Sequence, residues 1–213
     1  LKAFDASTQT SPRKQDYILL TNLASIAQSL HRMAQDFRIL QSPVFGELSE
    51  PFGKHQVGSS AMPFKRNPIK CERICSISRL VSALPKVMWD NAATTMLERT
   101  LDDSANRRIV IPEAFLAVDE ALSLAETVVS GLVVNKVQIE RNFDKYAPFA
   151  STEALLLELS QRGMARNTAH EIIRENSMKA WKVVSVGGVN PLTKLLASDK
   201  KVTRLVSSKE VEK

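Results

Sequence analysis

The chain has 213 residues, 44% of them hydrophobic and 24% charged, a composition that excludes a disordered polymer and supplies one large core or two small ones. Its net charge of +6 invites a nucleic-acid reading, but the basic residues are scattered, aromatics are only 6% and no nucleic-acid-binding motif occurs. A phosphorylated, multiply carboxylated small molecule fits that charge better, and no apolar run of about 18 residues is present to span a membrane.

The opening Leu1 and the polar residues behind it read as a piece of a longer protein. Residues 16–41 carry Leu19, Leu23, Ile26, Leu30, Met33, Phe37 and Leu40 at alternating steps of 4 and 3, which predicts a long helix ended by Pro43. Residues 43–68 hold Pro43, Pro51, Pro63 and Pro68 with Gly46, Gly53 and Gly58, so a long loop is expected. Residues 69–98 return to a helical period through Ile74, Ile77, Val81, Leu84 and Met88, with Pro85 predicting a kink. Thr100 to Arg108 reads as a polar break. A third long helix is predicted over 111–133, striped by Ile111, Phe115, Val118, Leu122, Ala125, Val129 and Leu132, with Pro112 in its first turn.

After Asn135 the apolar runs shorten to 137–143, 151–160, 167–184 and 192–196, separated by Gly163, Gly187, Gly188 and Pro191. The charged tail from Asp199 is expected to be peripheral and to fray. No alternating strand and no internal repeat is evident. The fold class is therefore all-α: a long-helix bundle over residues 1–134, with the loop 43–68 inside it, and a small helical domain over 135–213. Three long striped helices present more apolar surface than this chain covers, which predicts a homo-oligomer.

Cys71 and Cys75 are four residues apart, on one helical face, where a disulfide is geometrically poor. They read as small packing residues in a reducing cytosol. His31, His55 and His170 show no ligand spacing, so no metal site is expected.

The chemistry concentrates in Gly58-Ser59-Ser60-Ala61-Met62-Pro63-Phe64-Lys65-Arg66-Asn67-Pro68. Ser59 or Ser60 offers an oxygen that acts as a base only if activated by a nearby cation or by oriented donors. Lys65 is a compact charge for a carboxylate, and Asn67 donates through its amide. Glu72 either orients Lys65 or complements the next helix N-terminus, and Arg73 is placed to reach the same pocket. A second segment, Glu98-Arg99-Thr100-Leu101-Asp102-Asp103-Ser104-Ala105-Asn106-Arg107-Arg108, has two readings. One is a capped helix start with solvated arginines. The other brings Arg99, Ser104 and Arg108 together on a phosphate. A third segment, Thr8-Gln9-Thr10-Ser11-Pro12-Arg13-Lys14, precedes the first helix.

The first of these segments resembles, position by position, the signature loop of the fumarase/aspartase superfamily. Its Lys-Arg-Asn-Pro ending and the Arg99–Arg108 segment resemble the adenylosuccinate lyase family within it. That resemblance implies β-elimination of fumarate from succinylated purine nucleotides (adenylosuccinate to AMP, SAICAR to AICAR) without a cofactor. It implies Ser59 as base, with Lys65, Asn67 and Glu72 completing the catalytic set. It implies Gln9, Ser60, Met62, Arg66, Arg73, Arg99, Ser104 and Arg108 as substrate contacts, although Ser11 stands where the family commonly has tyrosine. It also implies a cytoplasmic homotetramer whose sites combine residues of several subunits. The acid histidine comes from the family's N-terminal half, so this piece is expected to be inactive alone. Other fumarate-releasing lyases, the related cycloisomerase and a non-catalytic helical scaffold remain as alternatives.

Overall fold

Alanines set the tightest packing in the helical core. In a computed structural model, which describes residues 4–53, 62 and 64–212, the chain divides into two compact units, Leu1–Asn135 and Lys136–Lys213. In the first, α1 (Lys14–Gln41) buries Leu20, Leu23, Ala27 and Ala34. The stripe predicted from bulky residues lies partly beside this seam: Leu23 is buried, but Leu19 is 37% and Ile26 42% exposed. Two adjacent faces of α1 are apolar, and the one with small side chains is where another helix backbone approaches closely.

α2 (Ile69–Ala83) runs back along α1, so Cys71, Ile74 and Cys75 meet Ala34 at one end of the bundle. The helix predicted over 69–98 is two: Pro85 takes the first position of α3 (Pro85–Ala93), which ends five residues earlier than expected. Val81 and Met88 pack with Leu20 and Leu23 at the opposite end.

α4 (Asp103–Ser130) runs parallel to α1 and begins eight residues before the predicted start. Pro112 is therefore interior, not in the first turn, and the expected break at Thr100–Arg108 is helical from Asp103 onward. The acidic Asp102-Asp103 pair marks the start that the apolar stripe obscured. Here too the bulky stripe is offset: Val110, Ala114, Val118, Ala121, Ala125 and Val128 are buried, while Phe115, Leu122 and Val129 are 48%, 45% and 54% exposed.

A short ladder, absent from the sequence reading, joins β1 (Leu48–Ser49) to β2 (Val133–Val134) in antiparallel register. Two residues are too few to show alternation in a sequence. At the end of α4, a Cβ on Gly131 would lie 2.6 Å from Pro51 Cβ, so only glycine permits this approach.

The second unit comprises α5 (Lys136–Ala150), α6 (Thr152–Gln161), α7 (Arg166–Ser185), α8 (Leu192–Ser198), α9 (Lys200–Thr203) and α10 (Ser208–Val211). Its core joins Leu159, Ile172, Ile173 and Leu192 to Val202 and Val206 of the tail. The tail is thus not peripheral. Asp199 caps α9, Ser207 and Glu210 form a capping box, and Arg162 donates to Glu210 at 2.8 Å and to the Leu205 carbonyl at 2.7 Å. Among the described residues, no helix is long and apolar enough to cross a membrane.

Candidate active site

The site residues fall at opposite ends of the first unit. At one end, where α1 finishes and α2 begins, the stems of the signature loop are held by two side chains the sequence reading did not single out. Glu50 is 2% exposed. Its carboxylate accepts from the backbone N–H of Lys70 at 3.1 Å and of Cys71 at 3.0 Å. Pro68, at the N-cap position, offers no side-chain acceptor, so Glu50 satisfies the start of α2 from far upstream. Lys70 Nζ lies 3.8 Å from Glu50 and donates to the Pro51 carbonyl at 3.0 Å. Gln41 joins both stems, accepting from the Glu50 N–H at 2.8 Å and donating to the Arg66 carbonyl at 3.1 Å. No local pattern announces this anchor, because its partners are distant in sequence.

A cavity of about 910 Å³ opens beside the second stem, lined in part by Gln35, Arg38, Lys65, Arg66, Asn67 and Glu72. Lys65 and Arg66 are exposed and Asn67 half-buried. The Arg66 guanidinium also lies 5.2 Å from the centre of the Phe52 ring. Glu72 sits in the first turn of α2, where its charge complements the helix. Among the described residues no ion pair joins it to Lys65. Arg73 does not line this cavity: it points to Glu120 of α4 at 3.5 Å, both side chains exposed. Met62 is 42% exposed. Ser59, Ser60 and His55 lie outside the described residues. Below the stems, burial and then the Glu50 charge push the Cys71 thiol up to about 12, so it remains protonated.

At the other end, Gln9 is exposed on the segment leading into α1, and Thr8 Oγ1 donates to the Glu98 carbonyl at 3.2 Å. That bond joins the Gln9 segment to the strand of chain carrying Arg99. Ser104 is half-buried in the first turn of α4, with the exposed Arg108 one turn later on the same side. Backbone N–H groups at a long helix start, a hydroxyl and two guanidiniums form a set suited to a phosphate. Among the described residues, neither Arg99 nor Arg108 is in an ion pair. Arg107, read as solvated in the capped-helix version, is instead bonded to Asp16 at 2.7 Å.

The 28 residues of α1 separate these ends by about 40 Å at 1.5 Å per residue. One chain therefore cannot bring Gln9, Arg99, Ser104 and Arg108 onto the same small molecule as Lys65 and Asn67. His31, half-buried on α1, accepts from the Cys75 thiol through its backbone carbonyl, and His170 is exposed in the second unit. No cluster suited to a metal occurs among the described residues.

A sequence model described as "Adenylosuccinate lyase C-terminus" matches residues 148–213, and one described as "Lyase" matches residues 2–82. The chain is 42% identical to the adenylosuccinate lyase of Saccharomyces cerevisiae, over 93% of this chain and 41% of that protein. It is 41% identical to that of Schistosoma mansoni, over 90% and 40%. It is 36% identical to that of Aquifex aeolicus, over 100% and 47%. The chain thus spans less than half the length of these curated relatives. Among solved structures, a 3-carboxy-cis,cis-muconate lactonizing enzyme from Pseudomonas putida superposes with a TM-score of 0.78 at 25% identity, over 92% of this chain and 42% of that one. A fumarate lyase from Mesorhizobium sp. BNC1 gives 0.79 at 23% identity, over 95% and 43%. The long-helix bundle is the fold shared with these structures, and on the C-terminal model and its identity to these curated relatives the chain belongs to the adenylosuccinate lyase family.

Proposed function

We propose that this chain is the C-terminal part of a cytoplasmic adenylosuccinate lyase of purine biosynthesis, which splits adenylosuccinate into AMP and fumarate and SAICAR into AICAR and fumarate. The observation that carries the choice within the superfamily is the placement of Arg99, Ser104 and Arg108 around the start of α4. A succinylated nucleotide has a phosphate for that set, whereas argininosuccinate and the cycloisomerase substrate do not. Residues 1–134 are assigned to the central helical-bundle domain and 135–213 to the small C-terminal domain.

Elimination removes a proton beside a succinyl carboxylate and builds negative charge toward an enolate-like dianion. The C–N electron pair then leaves with nitrogen, which takes a proton. Ser59 is assigned as the base. Ser60, the Lys65 ammonium and the Asn67 amide are assigned to stabilising the developing charge, since fixed donors lower the barrier. Gln9, Met62 and Arg66 are assigned to substrate binding, and Glu72 to holding the charge pattern around Lys65. The acid histidine comes from the part of the protein N-terminal to this chain.

The 40 Å between the two sets of residues supports a homotetramer in which each site takes its loop from one copy and its phosphate segment from another. The bulky stripes on α1 and α4, exposed beside their alanine seams, are the faces such an assembly buries. The test uses the full-length protein. Purified enzyme is assayed for fumarate release from adenylosuccinate and from argininosuccinate, and turnover of the second alone overturns the assignment. Lys65→Ala and Arg108→Ala are then dissociated and mixed. Regain of activity in the mixture is the expected result of shared sites. No regain, with mixed oligomers demonstrated by mass, means each site is built within one chain.

A further inference from the structure

The starts of α1 and α4 are joined by two ion pairs that run side by side with crossed polarity. Arg13, at the N-cap of α1, donates through Nε to Asp103, the first residue of α4. Arg107, one turn along α4, donates through Nε to Asp16 in the first turn of α1 at 2.7 Å. Each helix thus gives one arginine and one aspartate. Asp103 is 2% exposed, and among the described residues its second oxygen is buried with no hydrogen-bond partner, so Arg13 is its counter-charge. The Arg107 and Asp16 side chains are 25% and 19% exposed. A third link holds α4 from α3, where Asn91 and Asn106 exchange amide bonds of 2.7 and 2.9 Å.

Helical geometry turns these contacts into a statement about direction. Asp103 and Arg107 are four apart and share the face turned to α1. Ser104 and Arg108 are each one residue further, and so lie about 100° around the same axis. Fixing the first pair fixes the aim of the second. Arg13 and Arg107 are already neutralised by carboxylates, so their charge is not free for a phosphate.

We propose that Arg13, Asp16, Asp103 and Arg107 form a crossed clamp of positioning residues, which sets the rotation of the first turns of α4 and so aims Ser104 and Arg108 beside the Gln9 segment. The proposal rests on the reading that Arg99, Ser104 and Arg108 bind phosphate. Its role is in binding the phosphate end of the substrate, not in breaking the bond.

The test uses the outer pair, because removing Arg13 leaves a buried carboxylate uncompensated and threatens the fold. In the full-length protein, Arg107→Asp, Asp16→Arg and the double exchange are compared with the parent by thermal melting, by titration with inorganic phosphate and by steady-state kinetics. Each single change is expected to weaken phosphate binding and raise KM for adenylosuccinate by about tenfold or more, with kcat changed far less. The double exchange restores the pair with reversed polarity and is expected to recover most of both losses. Unchanged phosphate affinity in the single variants overturns the clamp. So does a double exchange that melts like the parent yet recovers nothing. Phosphate titration needs no turnover, so an enzyme inactive on adenylosuccinate that still shows loss and recovery refutes the proposed reaction and upholds the clamp. A parent that binds no phosphate refutes both.

Discussion

The two ends of the α1–α4 bundle solve the same problem, holding an irregular segment against helix starts, by different physics. At the loop end a fully buried carboxylate, Glu50, is satisfied by backbone N–H groups at the start of α2, with one lysine alongside. At the other end side chains pair with side chains: Asp103 is as buried as Glu50 and is met by Arg13, while the Arg107–Asp16 pair is partly reached by water. Backbone donors in a dry setting hold a carboxylate firmly and are scarcely screened, whereas an accessible pair trades contact energy against hydration and salt. The segment assigned to proton removal has the stiffer mounting, and the one assigned to phosphate rests in part on a pair that water reaches.

This contrast is sharpest at Glu50. Glu50→Ala leaves two N–H groups without their acceptor and Lys70 without its nearby carboxylate, and is expected to destabilise the first unit by about 3 kcal/mol or more, read as a drop in the denaturant midpoint. A loss of only a few tenths would place the anchor no higher than a surface pair. Gly131→Ala comes next. Its Cβ would sit 2.6 Å from Pro51 Cβ, beside the first stem, and the expected cost is about 1–3 kcal/mol. Unchanged stability there would show that the stem gives way easily and is not stiff.

Salt separates the ends more gently. Raising ionic strength from about 0.05 to 0.5 M shortens the Debye length to a few ångströms. Phosphate affinity in the full-length enzyme should fall, while the stability gap between parent and Glu50→Ala stays nearly constant. The smallest effect belongs to the exposed Arg162–Glu210 pair of the second unit, which measures what a surface pair contributes. Bonds from Arg162 and then Ser207 lower the Glu210 carboxyl from 4.5 to about 2. A depressed acid stabilises the fold above its unfolded pKa. That contribution is therefore present above pH 4.5 and is lost as pH falls toward about 2. Arg162→Ala should flatten this part of the acid unfolding curve slightly, and an unaltered curve would show the pair to be inert.

The helices were legible because their apolar period is strong, and the loop because proline and glycine crowd it. The buried face was read less well. Searching for bulky residues picked Leu19, Ile26, Phe115, Leu122 and Val129, but close helix contact selects Ala27, Ala34, Ala114 and Ala121. The offset is informative, since residues that look like core yet stand exposed mark faces left for another surface. The tail misled by its lysines, which hide Val202 and Val206. Within the candidate site, the signature residues and the Arg99–Arg108 segment stood out in the sequence through the family resemblance. Their separation to opposite ends was not, because it depends on α4 running parallel to α1. Glu50, Gln41 and the crossed pairs left no local pattern, since each joins residues brought together only by the fold.

The β1–β2 ladder has a consequence for the order of events in folding. α1 and α2 are neighbours in the chain and pack as a hairpin, so their contacts cost little loop entropy. Leu48 meets Val134 only after α2, α3 and α4 have all been laid down between them. Two rungs repay little of that closure, which makes the ladder a late arrival and an early departure. Its amides should exchange with solvent sooner than those of the alanine seams beneath them. The loop start would then be released from α4 while Glu50 still holds it to α2, giving the stiff end of the bundle one hinge that opens without unfolding.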